Sequence, residues 1–195
     1  FHTDHWGELP HLLFALRWGI EPARSSTLTL IGPVGLRDRW RHLARALGDW
    51  VQEPGYPLEL REIAAGETIE LAAGVALEAY RTPHTDESVA YAVRHGGARL
   101  VYTGDTGPSD ELARWARGCD LLLAECSLPD DRAIEIHLTP TQAGALARAA
   151  DAGRLVLTHF YPPMESVDAA ALAAEVFAGD VVAARDGDRF TIGAG

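Results

Sequence analysis

The sequence contains no lysine, because all 17 of its basic residues are arginines. Kinases, P-loop ATPases and Schiff-base enzymes each need a lysine amino group at a defined position, so these classes are excluded. The basic residues are outnumbered by 28 acidic ones, which gives a net charge of −11. Such a surface repels the phosphate backbone of nucleic acids, and no local basic patch offsets this repulsion. We therefore do not expect a long nucleic-acid duplex as a partner.

Cysteine and long apolar runs are also scarce. The two cysteines, Cys119 and Cys126, flank an apolar stretch with the pattern of a buried strand. Seven residues of strand span about 23 Å, too far for a disulfide, which predicts two reduced thiols in a cytoplasmic protein. No apolar run reaches the roughly 18 residues that cross a bilayer, and the start of the chain lacks the features of a signal peptide. We therefore expect no membrane insertion and no secretion.

Helical and strand patterns alternate along the chain. The first half contains helical patterns at 8–18 and 36–47 and strand patterns at 27–31, 58–63, 68–71, 75–80, 88–93 and 99–102, of which those from 58 onward are typical of an antiparallel sheet. The second half alternates helices at 110–117, 140–152 and 167–177 with strands at 120–126, 154–158, 180–183 and 189–192. Thr139, Pro140 and Gln142 form a helix start with a capping box. The sequence therefore predicts one α/β domain over residues 1–195, with mixed sheets and helices outside.

Five histidines occupy polar, turn-rich positions at strand ends, where loops on a rigid scaffold commonly form functional sites. They are His2, His5, His84, His137 and His159. His2, Asp4 and His5 lie within four residues, and three nitrogen and oxygen donors so close together suit a borderline metal such as zinc. The same residues also fit a helix-capping aspartate beside two surface histidines.

The other candidates are ambiguous when each is taken alone. Asp105 follows a predicted strand in a Gly-Asp-Thr turn, where its carboxylate could bridge two cations or satisfy its own backbone. His84 and His159 end strands and fit either metal ligands or structural histidines. Glu125 ends the strand before the His137 loop, where it either orients that imidazole or is a solvated strand-end residue.

In their order along the chain, these motifs resemble the metallo-β-lactamase superfamily, and most closely its ribonuclease Z-like branch. The resemblance covers nearly the whole chain and rests on His2-Thr3-Asp4-His5, Ile31-Gly32-Pro33, Tyr102-Thr103-Gly104-Asp105-Thr106, Ala124-Glu125-Cys126-Ser127 and His137-Leu138-Thr139-Pro140. The family's first motif reads HxHxDH, so its first histidine would precede Phe1. The resemblance thus implies a four-layered αββα sandwich whose N-terminal strands are missing from this chain.

The resemblance also implies a dinuclear zinc centre, with manganese as an alternative metal. One metal would be held by the histidine before Phe1 together with His2 and His84, the other by Asp4, His5 and His159, and Asp105 would bridge the two. A hydroxide between the metals would be the nucleophile, because a bound divalent cation lowers the pKa of water to about 7. His137 would protonate the leaving group, and Asp4 and Glu125 are the further candidate catalytic residues.

The expected reaction is cleavage of a phosphodiester bond in a small molecule or a short RNA end. Ribonuclease Z proteins that trim tRNA carry a long basic arm between the strand-end histidine and the bridging aspartate, whereas only twenty residues separate His84 from Asp105 here. The same centre would also suit hydrolysis of a carboxylic or sulfate ester, and a non-catalytic metal-binding or carrier protein is the third hypothesis. Superfamily members often dimerise, so the resemblance implies a homodimer.

Overall fold

The structure is a computed structural model, and it describes residues 1–193. The chain divides into two compact units, one formed by Phe1–Ala64 and the other by the residues from Ala65 onward. Each unit has its own sheet, its own helices and its own hydrophobic core. Parallel and antiparallel strands both occur, so the predicted α/β class with mixed sheets is confirmed.

The first unit is built around two parallel strands. In chain order it contains helices α1 (Thr3–Trp6) and α2 (Leu9–Trp18), strand β1 (Leu28–Pro33), helix α3 (Leu36–Leu47), a 3₁₀ turn (Asp49–Val51) and strand β2 (Leu58–Ile63). Leu28 pairs with Leu58 and Pro33 with Ile63. The expectation that 58–63 belongs to the antiparallel sheet is wrong, because the α3 crossover brings the chain back in the direction of β1.

The core of the first unit joins its helices to the segment before β2. Leu13, Trp40, Ala44, Val51 and Tyr56 form this core. The indole nitrogen of Trp40 donates to the carbonyl oxygen of Val51 at 3.2 Å, and the Tyr56 hydroxyl donates to that of Leu13 at 3.1 Å. Both buried polar groups are therefore satisfied while their rings pack against apolar neighbours.

The second unit contains a seven-stranded sheet in the order β3-β4-β5-β6-β7-β8-β9. Its elements are β3 (Thr68–Ala72), β4 (Val75–Arg81), β5 (Val89–His95), β6 (Ala98–Tyr102), α4 (Asp110–Ala116), β7 (Leu121–Glu125), α5 (Pro140–Ala149), β8 (Arg154–Thr158), α6 (Ala169–Ala174) and β9 (Asp180–Ala183). Strands β3 to β6 are antiparallel neighbours, and β6 to β9 are parallel. Strands β4, β6, β7 and β8 consequently run in one direction and end at the same edge of the sheet.

The start of α5 holds the loop that carries His137. The Thr139 hydroxyl accepts from the backbone nitrogen of Gln142 at 3.4 Å, and the Gln142 side chain accepts from that of Thr139 at 3.0 Å. This is the capping box that the sequence predicts. Leu138 and Thr139 are both buried, so the residue before them is fixed at the edge of the core.

Some element boundaries differ from the predicted ones. The third helix of the second unit is shorter than 167–177, since Asp168 caps α6 and the helix ends at Ala174. Residues 189–192 form no strand, although the alternation of their side chains predicts one. Cys119 and Cys126 are both buried free thiols. Within residues 1–193, every helix is too short or too polar to cross a membrane.

Candidate metal centre

The candidate residues of the second unit lie where four co-directional strands end. His84 follows β4, Asp105 follows β6, Glu125 is the last residue of β7 and His159 follows β8. Because neighbouring strands are spaced about 4.8 Å apart, side chains from these four strand ends can converge at one edge of the sheet. The sheet order therefore brings together residues that are up to 75 positions apart in sequence.

Asp105 lies between two imidazoles, one facing each oxygen of its carboxylate. The distance from Oδ2 to Nε2 of His84 is 3.5 Å, and the distance from Oδ1 to Nε2 of His159 is also 3.5 Å. Two donors bound tetrahedrally to one zinc ion at 2.0–2.1 Å lie about 3.4 Å from each other. Each of the two pairs therefore has the spacing of two ligands on one cation, and Asp105 belongs to both pairs.

The turn that carries Asp105 is tied to its neighbours by the backbone. Thr82, directly after β4, donates its hydroxyl to the carbonyl oxygen of Asp105 at 2.8 Å. Gly104 has a φ of +56°, and a Cβ atom there would lie 2.9 Å from the carbonyl oxygen of Val89. Glycine thus permits both the left-handed backbone and the close approach that aim Asp105 toward the two histidines.

His84 is oriented by the loop that precedes His137. Its Nδ1 atom lies 3.0 Å from the carbonyl oxygen of Ile136. A carbonyl oxygen can only accept, so Nδ1 carries the proton of the neutral ring and Nε2 has the lone pair directed at Asp105. Metal-binding histidines are typically held in this way, with the second ring nitrogen donating to a protein oxygen.

Glu125 is fully buried and accepts hydrogen bonds on both carboxylate oxygens. Oε1 accepts from the backbone nitrogen of Thr106 at 2.9 Å and lies 2.8 Å from Nδ1 of His137. Oε2 accepts from the hydroxyl of Ser127 at 2.6 Å. A carboxylate with three donors is satisfied without solvent, and its contact with His137 fixes the plane of that ring.

His159 adopts an unusual backbone conformation for a residue with a side chain. Its φ is +60°, in the left-handed region, which costs a non-glycine residue about 1 kcal/mol or more. Two hydrogen bonds hold the chain on either side, from Cys126 N to Thr158 O at 2.8 Å and from Tyr161 N to Ser127 O at 3.2 Å. The Ser127 hydroxyl lies 2.9 Å from Nδ1 of His159. The loop after β7 therefore maintains this strained backbone conformation, which directs the imidazole of His159 at Asp105.

The three imidazoles form one cluster. The ring of His137 lies 4.9 Å from that of His84 and 6.0 Å from that of His159, measured between centroids. Tyr161 contacts two of these rings, at 5.5 Å from His137 and 5.3 Å from His159. Glu125, His137 and His159 also lie close enough together to hold a metal ion. The carboxylate oxygen and the two Nδ1 atoms that face one another there are instead engaged in hydrogen bonds.

The remaining predicted residues, His2, Asp4 and His5, belong to the first unit. His2 precedes α1, and its carbonyl oxygen accepts from the backbone nitrogen of His5 at 3.0 Å. Nε2 of His5 lies 3.6 Å from Oδ2 of Asp4. Within their own unit, these two side chains therefore also have the spacing of ligands on one cation.

Sequence reasoning missed Ser127 and Thr82 as parts of this arrangement. Each contacts a predicted site residue through a hydroxyl group, Ser127 contacting Glu125 and Thr82 contacting Asp105. The available signal was their position within two residues of a strand end, where a hydroxyl can bond to a neighbouring loop. That signal names no partner, because the partner comes from another strand.

Three known proteins show what the chain is similar to. An uncharacterised protein of Mycobacterium leprae is 33% identical over 98% of this chain and 68% of its own length. The metallo-β-lactamase fold protein YhfI of Bacillus subtilis is 25% identical, with a TM-score of 0.77 over 96% of this chain and 73% of YhfI. The short form of human tRNase Z is 25% identical, with a TM-score of 0.72 over 100% of this chain and 77% of that protein.

The uncharacterised mycobacterial relatives are longer than this chain, which spans about two thirds of their length. The family model described as the β-lactamase superfamily domain matches residues 1–160. That match covers most of the chain and includes every residue of the candidate centre. The chain therefore belongs to the β-lactamase superfamily and has the metallo-β-lactamase fold.

Proposed function

We propose that this chain is a metal-dependent hydrolase that holds two divalent cations and cleaves a phosphodiester bond in a small molecule or a short RNA end. The observation that carries the proposal is Asp105, whose two carboxylate oxygens each face Nε2 of a different histidine at 3.5 Å. A carboxylate so arranged is suited to contact two cations at once. Membership of a superfamily of metal-dependent hydrolases supports the same interpretation, that the chain is a metal-dependent hydrolase.

The chemistry of the donor atoms fits zinc. Imidazole nitrogen and carboxylate oxygen are ligands that zinc accepts readily, and manganese tolerates the same set. His84 and His159 would each hold one cation, and Asp105 would contact both. We further propose that His2, Asp4 and His5 of the first motif are also metal ligands. The resemblance of the HxDH stretch to the family motif supports this assignment.

When bound, a pair of divalent cations supplies a water nucleophile at neutral pH and stabilises developing negative charge on the substrate. The chain's own contribution is the placement of a proton donor. Glu125 engages Nδ1 of His137, so Nε2 is the atom of that ring available to exchange a proton with the leaving oxygen. Because the Glu125 carboxylate is fully buried, it holds His137 without competition from water.

Two features favour a small or short substrate over a long one. The interval between His84 and Asp105 is filled by the β5–β6 hairpin, so it carries no inserted arm for gripping an extended RNA. The net charge of −11 also opposes attraction of a long polyanion. A short RNA end and a small phosphodiester both need few backbone contacts.

Parallel assays on the zinc-loaded and manganese-loaded protein test the proposal. We expect hydrolysis of bis(p-nitrophenyl) phosphate to exceed hydrolysis of p-nitrophenyl acetate and p-nitrophenyl sulfate at equal concentration. Faster turnover of the acetate or the sulfate would assign the centre to an ester hydrolase instead. Metal binding without turnover of any of the three would favour the non-catalytic carrier.

A further inference from the structure

Ser127 has a place in the hydrogen-bond network that neither metal binding nor proton transfer to substrate requires. It is fully buried two residues after the end of β7. Its hydroxyl lies 2.6 Å from Oε2 of Glu125, 2.9 Å from Nδ1 of His159 and 3.3 Å from Nδ1 of His137. A single hydroxyl is thus shared by the carboxylate and the two imidazoles that the proposed function uses for different purposes.

The proton positions in this network follow from what each group can donate. A carboxylate has no proton to give, so the 2.6 Å contact between Ser127 and Glu125 requires the serine hydroxyl to donate. The hydroxyl proton is then committed, and Ser127 can only accept from His159. Nδ1 of His159 therefore carries the proton of the neutral ring, which leaves the lone pair of Nε2 facing Asp105.

The alternative arrangement reverses the two hydrogen bonds that Ser127 makes with Glu125 and His159. Glu125 would be protonated and would donate to Ser127, and Ser127 would donate to Nδ1 of His159. The other contacts of Glu125 disfavour this, because its Oε1 also accepts from Thr106 N and lies 2.8 Å from Nδ1 of His137. Hydrogen bonds from two N–H groups to Oε1 favour the ionised carboxylate, which can only accept from Ser127.

We infer that Ser127 is a positioning residue through which one carboxylate orients two imidazoles. Glu125 orients His137 directly and orients His159 through the Ser127 hydroxyl. The proton donor to the leaving group and a ligand of one cation are therefore set by the same buried group. The catalytic consequence rests on the proposed function, whereas the positions of the protons do not.

The first test uses the wild-type protein without metal. Long-range proton–nitrogen correlation spectra of the histidine rings report which ring nitrogen carries the proton. At about pH 8.5, well above the ordinary histidine pKa of about 6.5, we expect His159 to be protonated on Nδ1. Protonation of His159 on Nε2 would overturn the inference, because Ser127 would then be the donor to that ring.

The second test compares Ser127→Ala with Ser127→Thr. The alanine variant removes the acceptor, so we expect His159 to lose its single tautomer, while His84, held by the Ile136 carbonyl, keeps its own and serves as an internal control. The threonine variant retains the hydroxyl and should restore the His159 tautomer. An unchanged His159 in the alanine variant, or equal changes at His84 and His159, would refute the positioning of His159 by Ser127.

Metal binding gives a readout that is separate from activity. Loss of a group that orients a ligand typically weakens metal affinity by about 10–100-fold. In zinc titrations against a competing chelator, we expect Ser127→Ala to weaken one of the two equivalents by that factor. If the wild type shows the expected tautomer but neither binds zinc nor hydrolyses any ester, the proposed function fails and the hydrogen-bond network stands.

Discussion

The imidazole of His84 is hydrogen bonded through Nδ1 to the carbonyl oxygen of Ile136, the residue directly before His137. One loop therefore presents the proposed proton donor and also orients a proposed metal ligand from another strand. Its other end is fixed by the buried capping box of α5. Displacement of this loop should consequently disturb both the proposed metal ligand, His84, and the proposed proton donor, His137.

Replacement of Asp105 by asparagine should lower the metal content from two equivalents per chain to one or fewer. An amide offers one neutral oxygen, so it cannot serve two cations as a carboxylate does. Elemental analysis of protein purified without chelators measures this directly. Asp86→Asn is a matched control, because Asp86 is exposed and pairs with Arg81 at 2.9 Å. Two equivalents in the Asp105 variant would refute the bridging role.

Replacement of His137 by alanine should separate metal binding from turnover. If His137 supplies the proton to the leaving oxygen, phosphodiester hydrolysis should fall by about 10²–10⁴-fold while the metal content is unchanged. His95→Ala is the control, since His95 is an exposed residue at the end of β5 whose Nδ1 lies 3.1 Å from the carbonyl oxygen of Gly74. Loss of metal from the His137 variant would mean that this ring is a ligand and not the proton donor.

Replacement of Gly107 by alanine should destabilise the protein. The new Cβ would lie 1.8 Å from the carbonyl oxygen of Glu135, so the loop before His137 must move. Overpacking of this kind costs about 3 kcal/mol in the free energy of unfolding. Gly118→Ala is the comparison, because its φ is +69° with open space around it, which costs about 1 kcal/mol from backbone strain alone. Urea unfolding of both variants tests the ranking.

The two cysteines should be inert to thiol reagents in the folded protein. Burial is the main cause that raises the pKa of Cys119 to about 11 and that of Cys126 to about 12. The reactive species is the thiolate, and at pH 8 its population should be about 100-fold or more below that of a solvated thiol. Ellman's reagent should therefore label the native protein slowly and the urea-unfolded protein rapidly. Rapid labelling of the folded chain would contradict the burial of both thiols.

The same shifts predict how stability depends on pH. Because each thiol has a higher pKa when folded than when unfolded, the unfolded chain loses protons first as the pH rises. Stability contributed by the protonated thiols is complete below about pH 8.5, the ordinary cysteine pKa, and falls above it. Urea unfolding at pH 8 and pH 10 should show this loss, and Cys119→Ala should reduce it. An equal loss of unfolding free energy between pH 8 and pH 10 in the wild type and in Cys119→Ala would exclude a contribution from Cys119.

Several features of this fold are determined by residues that are close together in the sequence. The α5 helix begins where Thr139, Pro140 and Gln142 predict, because its capping groups are all within four residues. Strand ends were also predictable at Glu125 and Thr158, where apolar runs meet polar residues. These signals identify the positions from which the candidate site residues project.

Non-local relationships could not be obtained in this way. The direction of β2 depends on its pairing with β1, and its own residues are compatible with either direction. The role of Ser127 depends on Glu125 and on His159, which is 32 residues away. The left-handed backbone of His159 is likewise imposed by neighbouring loops, since histidine alone does not favour it. Such relations become visible only when the order of the strands is known.

The common direction of β4, β6, β7 and β8 has a consequence for how proteins of this architecture can diverge. The strand ends that carry the candidate side chains are positioned by hydrogen bonds within one sheet, whereas further surface comes from loop segments such as 128–133 and 162–168. Exchange of those segments, with Ile136 and Tyr161 retained, would alter molecular recognition and leave the spacing of the candidate residues intact. Chemistry and selectivity are therefore inherited as separable modules, and new specificities can arise without rebuilding the reactive groups.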